Sequence, residues 1–405
     1  MNVFYNLAIY LYGFFIHCAS FFNEKAALWV KGRKDWEAKL KSVLQGSNAV
    51  IWFHCASLGE FEQGRPLIEK IKIKYPQSKI LLTFFSPSGY EIRKNYSGAD
   101  VVFYLPLDTV YNARTFIDIV KPERVFFVKY EFWFNYLREL KNRNIPTYLI
   151  SAIFRREQHF FSSIGKWSRQ GLDTYKHIFV QDENSLSLLN EFGYNNVIVA
   201  GDTRFDRVNK LVAKAKKYDL IQVFKGEIPL VLAGSTWQAD EDILASLSLT
   251  NFKLIIAPHE ISESNLGSLM QKFSKYNPVR YSEANDASLK NARVLIIDNI
   301  GMLSSLYGYA SIAYIGGGFG KGIHNVLEAA AYGMLVLFGP NYQKFQEAVE
   351  LIQLKAAYSV NSTEELKEKL NLFLNDSVLL KETSLVSKKF VEQKAGATDI
   401  ILNVV

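Results

Sequence analysis

Cysteine is scarce in this sequence, because only Cys18 and Cys55 occur among its 405 residues. The two lie in different contexts and cannot build a disulfide framework, so a reduced, cytosolic environment is the default expectation. Metal-ligand patterns are also missing: no Cys/His cluster has zinc spacing, and none of the six histidines belongs to an HExxH or similar pair. We therefore expect no metal-centred mechanism.

The sequence also lacks the motifs of several large enzyme classes. It has no Gly-x-Ser-x-Gly elbow, which leaves serine hydrolase chemistry with little support. It has no GxGxxG spacing and no Walker A loop, since Lys321 is followed by glycine instead of Ser or Thr. Hydrophobic residues make up 49% of the chain, which excludes disorder, and the length suggests two large domains or three small ones.

Basic residues outnumber acidic ones, giving a formal net charge of +7, and most of the excess falls in residues 138–176. This segment has eight basic residues and three acidic ones. A solvated basic face is one interpretation. The sharper interpretation is an anionic partner, either a phospholipid surface or a phosphorylated substrate. Nucleic acid is disfavoured, because no RNA- or DNA-binding motif accompanies the segment.

Residues 3–22 form a run of 20 residues without a formal charge, rich in Phe and Tyr. As a helix the run would reach roughly 30 Å, so it could just span a bilayer. Basic and aromatic residues typical of a membrane interface follow it: Lys25, Trp29, Lys31, Arg33, Lys34 and Trp36. We expect membrane association, by a single span or by a helix lying in the interface, with an ordinary buried helix as the alternative. A cleaved signal peptide is not expected.

Short apolar runs alternate with helical patterns from residue 49 onward, which predicts parallel sheets covered on both faces. The predicted strands are 50–56, 79–85, 101–107, 124–130, 146–153 and 177–182, then 229–236, 252–260, 292–299, 312–318 and 334–340. The predicted fold is α/β, with two doubly wound, Rossmann-like domains facing a cleft that binds the ligand. The expected segments are a hydrophobic helix with its flank (1–36), a first domain (37–207), a linker (208–228) and a second domain (229–405). We expect that the last helix of the second domain can pack against the first domain.

The segment HCASLGE ends a predicted strand and begins a helix. Ser57 suits the N-cap position and Glu60 lies three residues later, which is the spacing of a capping box and gives a purely structural interpretation. In the functional interpretation, Gly59 lets a ligand approach closely and the Glu60 carboxylate accepts a proton from a substrate hydroxyl. The sequence leaves both interpretations open.

A second carboxylate, Glu131, follows another predicted strand and is surrounded by aromatic residues. Such surroundings disfavour the charge of a carboxylate unless a cation pairs with it. The residues leave two alternatives open, a structural pair with Lys129 and a contact with a substrate.

Five glycines follow the predicted strand 312–318, before a helix expected to begin near His324–Asn325: Gly316, Gly317, Gly318, Gly320 and Gly322. Bare backbone N–H groups and a helix N-terminus favour the binding of one phosphate or carboxylate, and Lys321 can add charge. Asn325 and Glu328 are predicted to lie one helical turn apart, where both could hydrogen-bond to the hydroxyls of a ribose. The alternative is that Glu328 is a plain surface residue.

These motifs together resemble those of the 3-deoxy-D-manno-octulosonic acid (Kdo) transferases of lipid A assembly, over nearly the whole chain. The resemblance rests on WVKGR, HCASLGE, the ExW-type motif at Glu131 and Trp133, GDTRFD (201–206), GSTW (234–237), the PH of APHE, DNIGML (298–303) and HNVLEAAAYG. Their order and number make it specific. The chain departs from the family at His259, where the family usually has arginine, and at Ile300 to Met302, where it has MGE.

The resemblance implies an inverting GT-B glycosyltransferase that transfers Kdo from CMP-Kdo to a tetraacyl disaccharide bisphosphate precursor of lipid A, with Glu60 as the catalytic base and no metal or other cofactor. The catalytic domains would be cytoplasmic, at the inner membrane. We place Ser57, Gly59, Glu131, Arg155 and Arg156 on the acceptor or donor-sugar side. The residues implied to hold CMP are Pro258, His259, Ile300, Gly301, Met302, Asn325, Val326, Leu327 and Glu328. A GT-B enzyme that uses a UDP-sugar and a non-catalytic, membrane-tethered nucleotide-binding module are the alternatives.

Overall fold

The structure, a computed structural model, describes residues 2–46, 49–130, 132–162 and 165–405. Contacts divide the chain into two compact units, Met1–Asp206 with Gly396–Val405, and Arg207–Ala395. Each unit contains a seven-stranded sheet, and the strands described in it pair in parallel. The predicted α/β fold with two parallel sheets is therefore confirmed.

The first unit is built on strands β1 to β7, whose order in the sheet is β3-β2-β1-β4-β5-β6-β7. They are β1 (Val50–Cys55), β2 (Lys79–Phe84), β3 (Val101–Tyr104), β4 (Arg124–Val128), β5 (Thr147–Ala152), β6 (His177–Val180) and β7 (Val197–Val199). The helices before and between them are α1 (Asn2–Ala19), α2 (Glu24–Gly32), α3 (Trp36–Leu44), α4 (Leu58–Lys74), α5 (Pro87–Arg93), α6 (Val110–Val120), α7 (Phe134–Asn142), α8 (Lys166–Arg169) and α9 (Glu183–Glu191), with α10 (Thr203–Ala213) following β7.

The second unit has the sheet order β10-β11-β9-β8-β12-β13-β14. Its strands are β8 (Leu230–Thr236), β9 (Lys253–Pro258), β10 (Val279–Arg280), β11 (Val294–Ile296), β12 (Ile312–Ile315), β13 (Leu335–Phe338) and β14 (Ala357–Ser359). Its helices are α11 (Asp219–Lys225), α12 (Gln238–Ala245), α13 (Glu263–Lys272), α14 (Asp286–Lys290), α15 (Leu303–Leu306), α16 (Leu327–Ala331), α17 (Gln346–Gln353), α18 (Thr363–Asn375) and α19 (Ser377–Lys394).

Strand β1 explains why the strands appear in the sequence as continuous apolar runs. All six of its residues are buried. Trp52 packs against Phe127 in a cluster on one face of the sheet, and Phe53 stacks on Phe126 in a cluster on the other. Helices on both faces exclude water from both sides of a parallel strand, so alternation of polar and apolar residues is not needed. The indole N–H of Trp52 is satisfied inside this core, donating to Thr83 Oγ1 at 2.8 Å.

The last helix, α20 (Ala397–Val404), belongs to the first unit and packs against α4. Two kinds of contact hold it. Lys74 Nζ donates to the carbonyl of Leu402 at 2.8 Å, and the Asp206 carboxylate accepts the backbone N–H of Thr398 at 2.7 Å. Helix α20 therefore belongs to the first unit, although it follows the second unit in the sequence.

Helix α1 ends at Ala19, and Asn23 caps α2 four residues later. In the part of the chain that the structure describes, no helix is both long enough and apolar enough to cross a membrane. Of the two forms of membrane association left open for residues 3–22, the single span finds no support in this part of the chain. The helix holds 18 residues, and Asn6, His17 and its tyrosines dilute the apolar content.

The two faces of α1 have different surroundings. Exposed apolar side chains lie three or four positions apart on one face: Phe4, Leu7, Leu11 and Phe14. The other face packs on the first unit, where Tyr12 contacts the ring of Trp29 and the Tyr5 hydroxyl donates to Asp108 Oδ2 at 2.6 Å. The helix is thus fixed to the unit by a polar contact and leaves an apolar stripe uncovered.

Asp108 is the buried carboxylate at the base of this contact. Besides Tyr5, it accepts the backbone N–H groups of Asn135 at 3.1 Å and Tyr136 at 3.0 Å. Burial raises the pKa of Asp108 to about 6, and the hydrogen bond from Tyr5 is the strongest of the effects that lower it. Between the ordinary pKa of 3.8 and about 6, the carboxyl of Asp108 is ionised in the unfolded chain and still protonated in the folded one. The free energy of unfolding therefore falls as the pH rises through this range.

The substitution Tyr5→Phe removes one donor from Asp108. We expect a loss of about 1.5–3 kcal/mol of unfolding free energy at pH 8, where the acceptor is charged, and of about 0.5–1.5 kcal/mol at pH 5, where it is protonated. Urea unfolding at the two pH values measures both losses. Tyr10→Phe, on the exposed face of the same helix, is the control and should change neither value. An equal loss at both pH values for Tyr5→Phe would contradict the assigned role of Asp108.

Candidate functional site

The first group of candidate residues lies where β1 ends and α4 begins. Ser57 is the N-cap residue of α4, and its hydroxyl accepts the N–H of Gly59 at 3.3 Å and donates to the Glu60 carboxylate. Glu60 is half-buried in the first turn of this 17-residue helix. The positive end of the helix dipole favours a carboxylate at this position. The structure thus brings Ser57, Gly59 and Glu60 together around one partly accessible carboxylate, which can act as a proton acceptor.

The loop after β4 reaches the same edge of the sheet, because β4 pairs in parallel with β1. Glu131, predicted to contact the substrate or Lys129, lies outside the described residues. Lys129 has a positive φ of 72°, a conformation that is uncommon for a residue with a side chain. Beyond the gap, the Trp133 ring contacts the ring of His54 on β1, with the centroids 5.7 Å apart.

Arg155 and Arg156 follow β5, which is the second strand from β1 in the sheet. Two strand spacings amount to about 10 Å, so the arginines share the carboxyl edge with Glu60 but lie beyond the neighbouring strand. Both are exposed. Arg156 pairs with Glu191, whose carboxylate is also exposed, so part of its charge is already neutralised within the chain.

The predicted CMP contacts gather at one edge of the second sheet. Pro258 is the last residue of β9, Gly301 lies between β11 and α15, and Asn325 lies between β12 and α16. Strands β9 and β12 flank β8, and the strand order reverses at β8. Such a reversal is where open α/β sheets bind their ligands, outside the carboxyl ends of the strands.

The segments at this edge offer a ligand different groups. Ile300 is 88% exposed and Gly301 has a φ of 98°, whereas the side chain of Met302 is buried. Val326 and Leu327 are completely buried. Residues with no accessible surface have no backbone group open to a ligand either, so the departure from the family sequence at residues 300–302 affects mainly the exposed Ile300.

Helix α16 begins at Leu327, and the start expected near His324–Asn325 is therefore wrong. The N–H of His324 donates to the carbonyl of Gly316 at 3.1 Å, and Asn325 Oδ1 accepts the N–H of Leu327 at 3.1 Å. These two bonds fold the chain before Leu327 back on the end of β12. Asn325 consequently lies outside the helix, two residues before its first residue, and does not share a helical face with Glu328.

Glu328 is not a plain surface residue, and that alternative is wrong. Its side chain is 17% exposed and one carboxylate oxygen lies 3.7 Å from Arg207 Nη2. Burial is the main cause that raises the pKa of Tyr307, and the nearby charge of Glu328 raises it further. The role of Glu328 towards a ribose stays a prediction.

The glycine loop, residues 316–322, uses four of its backbone N–H groups in hydrogen bonds within the loop and to Gly234 and Asp240. The N–H groups with acceptors inside the protein are those of Gly316, Gly317, Gly320 and Gly322. An anion bound at this loop would therefore have to use other groups. The side chain of Lys321 is exposed and fits that requirement.

Close backbone packing accounts for two of these glycines. A Cβ on Gly316 would lie 2.3 Å from the carbonyl oxygen of Ser235, and one on Gly318 would lie 2.6 Å from the N and Cα atoms of Gly339. Gly317 has a φ of 91°, which favours glycine for a different reason. The run of glycines thus lets β12 and its loop approach two neighbouring backbones.

Asp240 links the ends of β8 and β12 and was not singled out by the sequence. It is almost completely buried and accepts the N–H of Trp237 at 2.9 Å, the hydroxyl of Tyr314 at 2.7 Å and the N–H of Gly317 at 2.8 Å. A buried carboxylate needs such donors. These donors fix the positions of the glycine loop and of Trp237.

Trp237, His259 and His324 form an aromatic cluster beside this loop. Trp237 Nε1 donates to His324 Nε2 at 2.9 Å with the two ring planes nearly parallel, and His259 stacks on both with centroids 4.5 and 4.6 Å away. An indole N–H can only donate, so His324 Nε2 carries no proton. Burial, followed by the neighbouring His259, lowers the pKa of His324. The sequence signal for Trp237 was the GSTW motif, but the stacking could not be deduced from it.

A protein metal site needs several acidic, Cys or His side chains close together. Within the ranges that the structure describes, no group of three or more such residues lies close enough to hold an ion.

Comparison with known sequences places the chain beside one family. Residues 34–207 match the profile described as 3-deoxy-D-manno-octulosonic-acid transferase (kdotransferase). The 3-deoxy-D-manno-octulosonic acid transferase of Haemophilus influenzae is 29% identical over 332 residues, which cover 79% of this chain and 77% of that protein. The enzyme of the same name from Rickettsia felis is 26% identical over 388 residues, covering 91% and 81%.

Comparison of structures supports the fold. UDP-GlcNAc 2-epimerase from Neisseria meningitidis, solved with UDP-GlcNAc bound, superposes with a TM-score of 0.63. The alignment covers 87% of this chain and 98% of that one, at 17% sequence identity. At this identity the likeness concerns the fold alone, which is α/β and GT-B-like.

The packing of the glycine loop gives a testable difference between two glycines. Gly318→Ala should lose about 1–3 kcal/mol of unfolding free energy, because its Cβ overlaps the backbone of Gly339. Gly267→Ala is the matched control, since a Cβ there, within α13, meets nothing within 4 Å. The control should gain about 0.5–1 kcal/mol from reduced backbone freedom. Urea unfolding of both variants checks the pair, and equal stability of the two would contradict the packing argument.

Proposed function

Since the chain belongs to the Kdo transferase family and is a glycosyltransferase, we propose that it transfers Kdo from CMP-Kdo to a tetraacyl disaccharide bisphosphate precursor of lipid A. The configuration at the sugar carbon is inverted. The observation that carries the proposal is the carboxylate of Glu60, half-buried at the start of α4 and held by the hydroxyl of Ser57.

Glu60 is the proposed general base. It takes the proton of a primary hydroxyl on the acceptor while that oxygen forms a bond to the ketosidic carbon of Kdo. The bond from this carbon to the CMP phosphate breaks on the opposite side, and CMP leaves with the electron pair. Ser57, which donates to the carboxylate, orients Glu60 for this step.

The proposed donor site is the carboxyl edge of the second sheet. We assign the binding of CMP there to Pro258 and His259, the segment 300–302 and the segment 325–328. The exposed members of this set are His259, Ile300, Gly301 and Asn325. The leaving group is a nucleoside monophosphate, so one phosphate has to be neutralised. The exposed side chain of Lys321 can do this without a divalent metal.

The acceptor side and the membrane are assigned to the first unit. Arg155 and Arg156 share the sheet edge with Glu60 and are proposed to face the acceptor. The apolar stripe of α1 is proposed to lie in the cytoplasmic leaflet of the inner membrane, as an interfacial helix does. Exposure of Phe4 at 77% and Phe14 at 62% supports this placement.

Glu60→Gln tests the catalytic role directly. The amide can still accept the Ser57 hydroxyl but cannot take a proton, so we expect kcat to fall by about 10²–10⁴-fold, the usual contribution of a general base. CMP affinity and thermal stability should stay close to the wild-type values. The measurements are kcat with both substrates, CMP binding by calorimetry, and the melting temperature.

Glu69→Gln is the matched control. Glu69 lies on the same helix, in a surface pair with Arg65, so the same chemical change should leave kcat unaffected. If Glu60→Gln kept more than about a tenth of the wild-type kcat, a general base at this position would be excluded. The purely structural interpretation of Ser57 and Glu60 would then stand.

A further inference from the structure

A groove beside α7 contains side chains to which the proposed reaction gives no role. Its volume is about 340 Å³, within the size range of small-molecule pockets. Helix α7 forms one wall, and residues 167–174 and α1 form the others. The side chains that give it chemical character are Tyr5, Phe134, Arg138, Lys141, Trp167 and Gln170.

Three aromatic rings form one part of the groove. The rings of Tyr5, Phe134 and Trp167 all contact one another, and the Phe134 centroid lies 5.0 Å from that of Tyr5 and 4.9 Å from that of Trp167. All three residues are half-buried, so each keeps part of its surface open. Aromatic surface of this kind gains free energy when it covers the C–H face of a sugar ring, because water is displaced from both.

Two cations form the other part. Arg138 and Lys141 lie three residues apart on α7, so they share one helical face. None of the described residues lining the groove is acidic. Lys141 Nζ lies 3.9 Å from the carboxylate of Asp173, and both side chains are about half exposed. An ion pair this long and this exposed is too weak to cancel the charge of the lysine. An arginine with a lysine beside it suits a phosphate group.

The position of Arg138 is set by a chain of hydrogen bonds. Arg138 Nη2 donates to Asn135 Oδ1 at 2.8 Å, and Asn135 Nδ2 donates to Asn6 Oδ1 on α1 at 2.8 Å. The backbone N–H of Asn135 donates to the buried Asp108 at 3.1 Å. A guanidinium held in this way loses little freedom when a ligand binds, and that reduces the entropic cost of binding.

The groove adjoins the apolar stripe of α1, because Tyr5 lines the groove while its neighbour Phe4 is exposed. We propose that the groove binds a phosphorylated sugar ring in the headgroup of the lipid acceptor, with the ring on Trp167 and the phosphate on Arg138 and Lys141. A headgroup seated there places its acyl chains beside the stripe, which favours a lipid over a soluble sugar phosphate. This inference rests on the proposed function and extends it to the acceptor.

The test compares the double variant Arg138→Gln/Lys141→Gln and the single variant Trp167→Leu with wild-type protein. Arg143→Gln is the control, since Arg143 pairs with Asp118 and Glu139 and does not line the groove. Calorimetry measures binding of the purified acceptor lipid in detergent micelles, without CMP-Kdo. Steady-state kinetics gives KM for each substrate, and melting temperatures confirm folding.

We expect both groove variants to weaken acceptor binding by about tenfold or more, and to raise the KM for acceptor but not for CMP-Kdo. The double variant loses charge-assisted contacts, and Trp167→Leu loses the ring that covers the sugar. The control should change acceptor binding less than about twofold. Unchanged acceptor binding in the double variant would overturn the inference, even if Kdo transfer is normal. The double variant leaves the three rings in place, and its melting temperature shows whether it folds, so it answers the question if Trp167→Leu fails to fold.

Soluble probes separate the possible ligands. Glucosamine 1-phosphate should compete with the acceptor weakly, and inorganic phosphate at the same concentration should compete less. If glucosamine 1-phosphate bound wild-type protein as tightly as the lipid, the site would belong to a soluble metabolite and the lipid assignment would be wrong. Acceptor binding that depends on Arg138 and Lys141, in a protein without transferase activity, would support the groove and contradict the proposed function.

Discussion

Parallel pairing of the strands is the constraint on which the placement of both candidate sites depends. In each sheet every strand described runs the same way, so the loops that leave their carboxyl ends meet at one edge. The order of each sheet reverses beside its first strand, β1 or β8. Glu60 follows β1 and Trp237 follows β8, so both lie at a point where neighbouring loops diverge and leave room for a ligand.

Two buried aspartates then fix the positions of the segments that meet near the sheet edges. Asp240 accepts donors from the ends of β8 and β12, and Asp108 accepts donors from α1 and the start of α7. Each carboxylate is removed from water, which is costly unless several donors surround it. The requirement makes the geometry of these regions specific, because moving one donor leaves a charge unsatisfied. The glycine loop and helix α1 owe their positions to these contacts.

The sequence was sufficient for the parts of this arrangement that depend on local order. Long buried strands such as β1 were predicted from apolar runs, and Ser57 with Glu60 from three-residue spacing. The two-residue strand β10 has no pattern to detect, and the apolar run 3–22 did not show that α1 ends at Ala19. The cluster of Trp237 and His324 joins residues 87 positions apart. Such contacts depend on tertiary packing, which spacing along the chain does not reveal.

The central claim is that this chain moves Kdo from CMP-Kdo to a lipid A precursor. The most direct measurement is the mass of the lipid after incubation of the purified, folded protein with CMP-Kdo and the tetraacyl disaccharide bisphosphate. We predict that the lipid gains at least one Kdo residue and that CMP is released in equal amount. A lipid of unchanged mass, or a gain that occurs with a UDP-sugar and not with CMP-Kdo, would contradict the account.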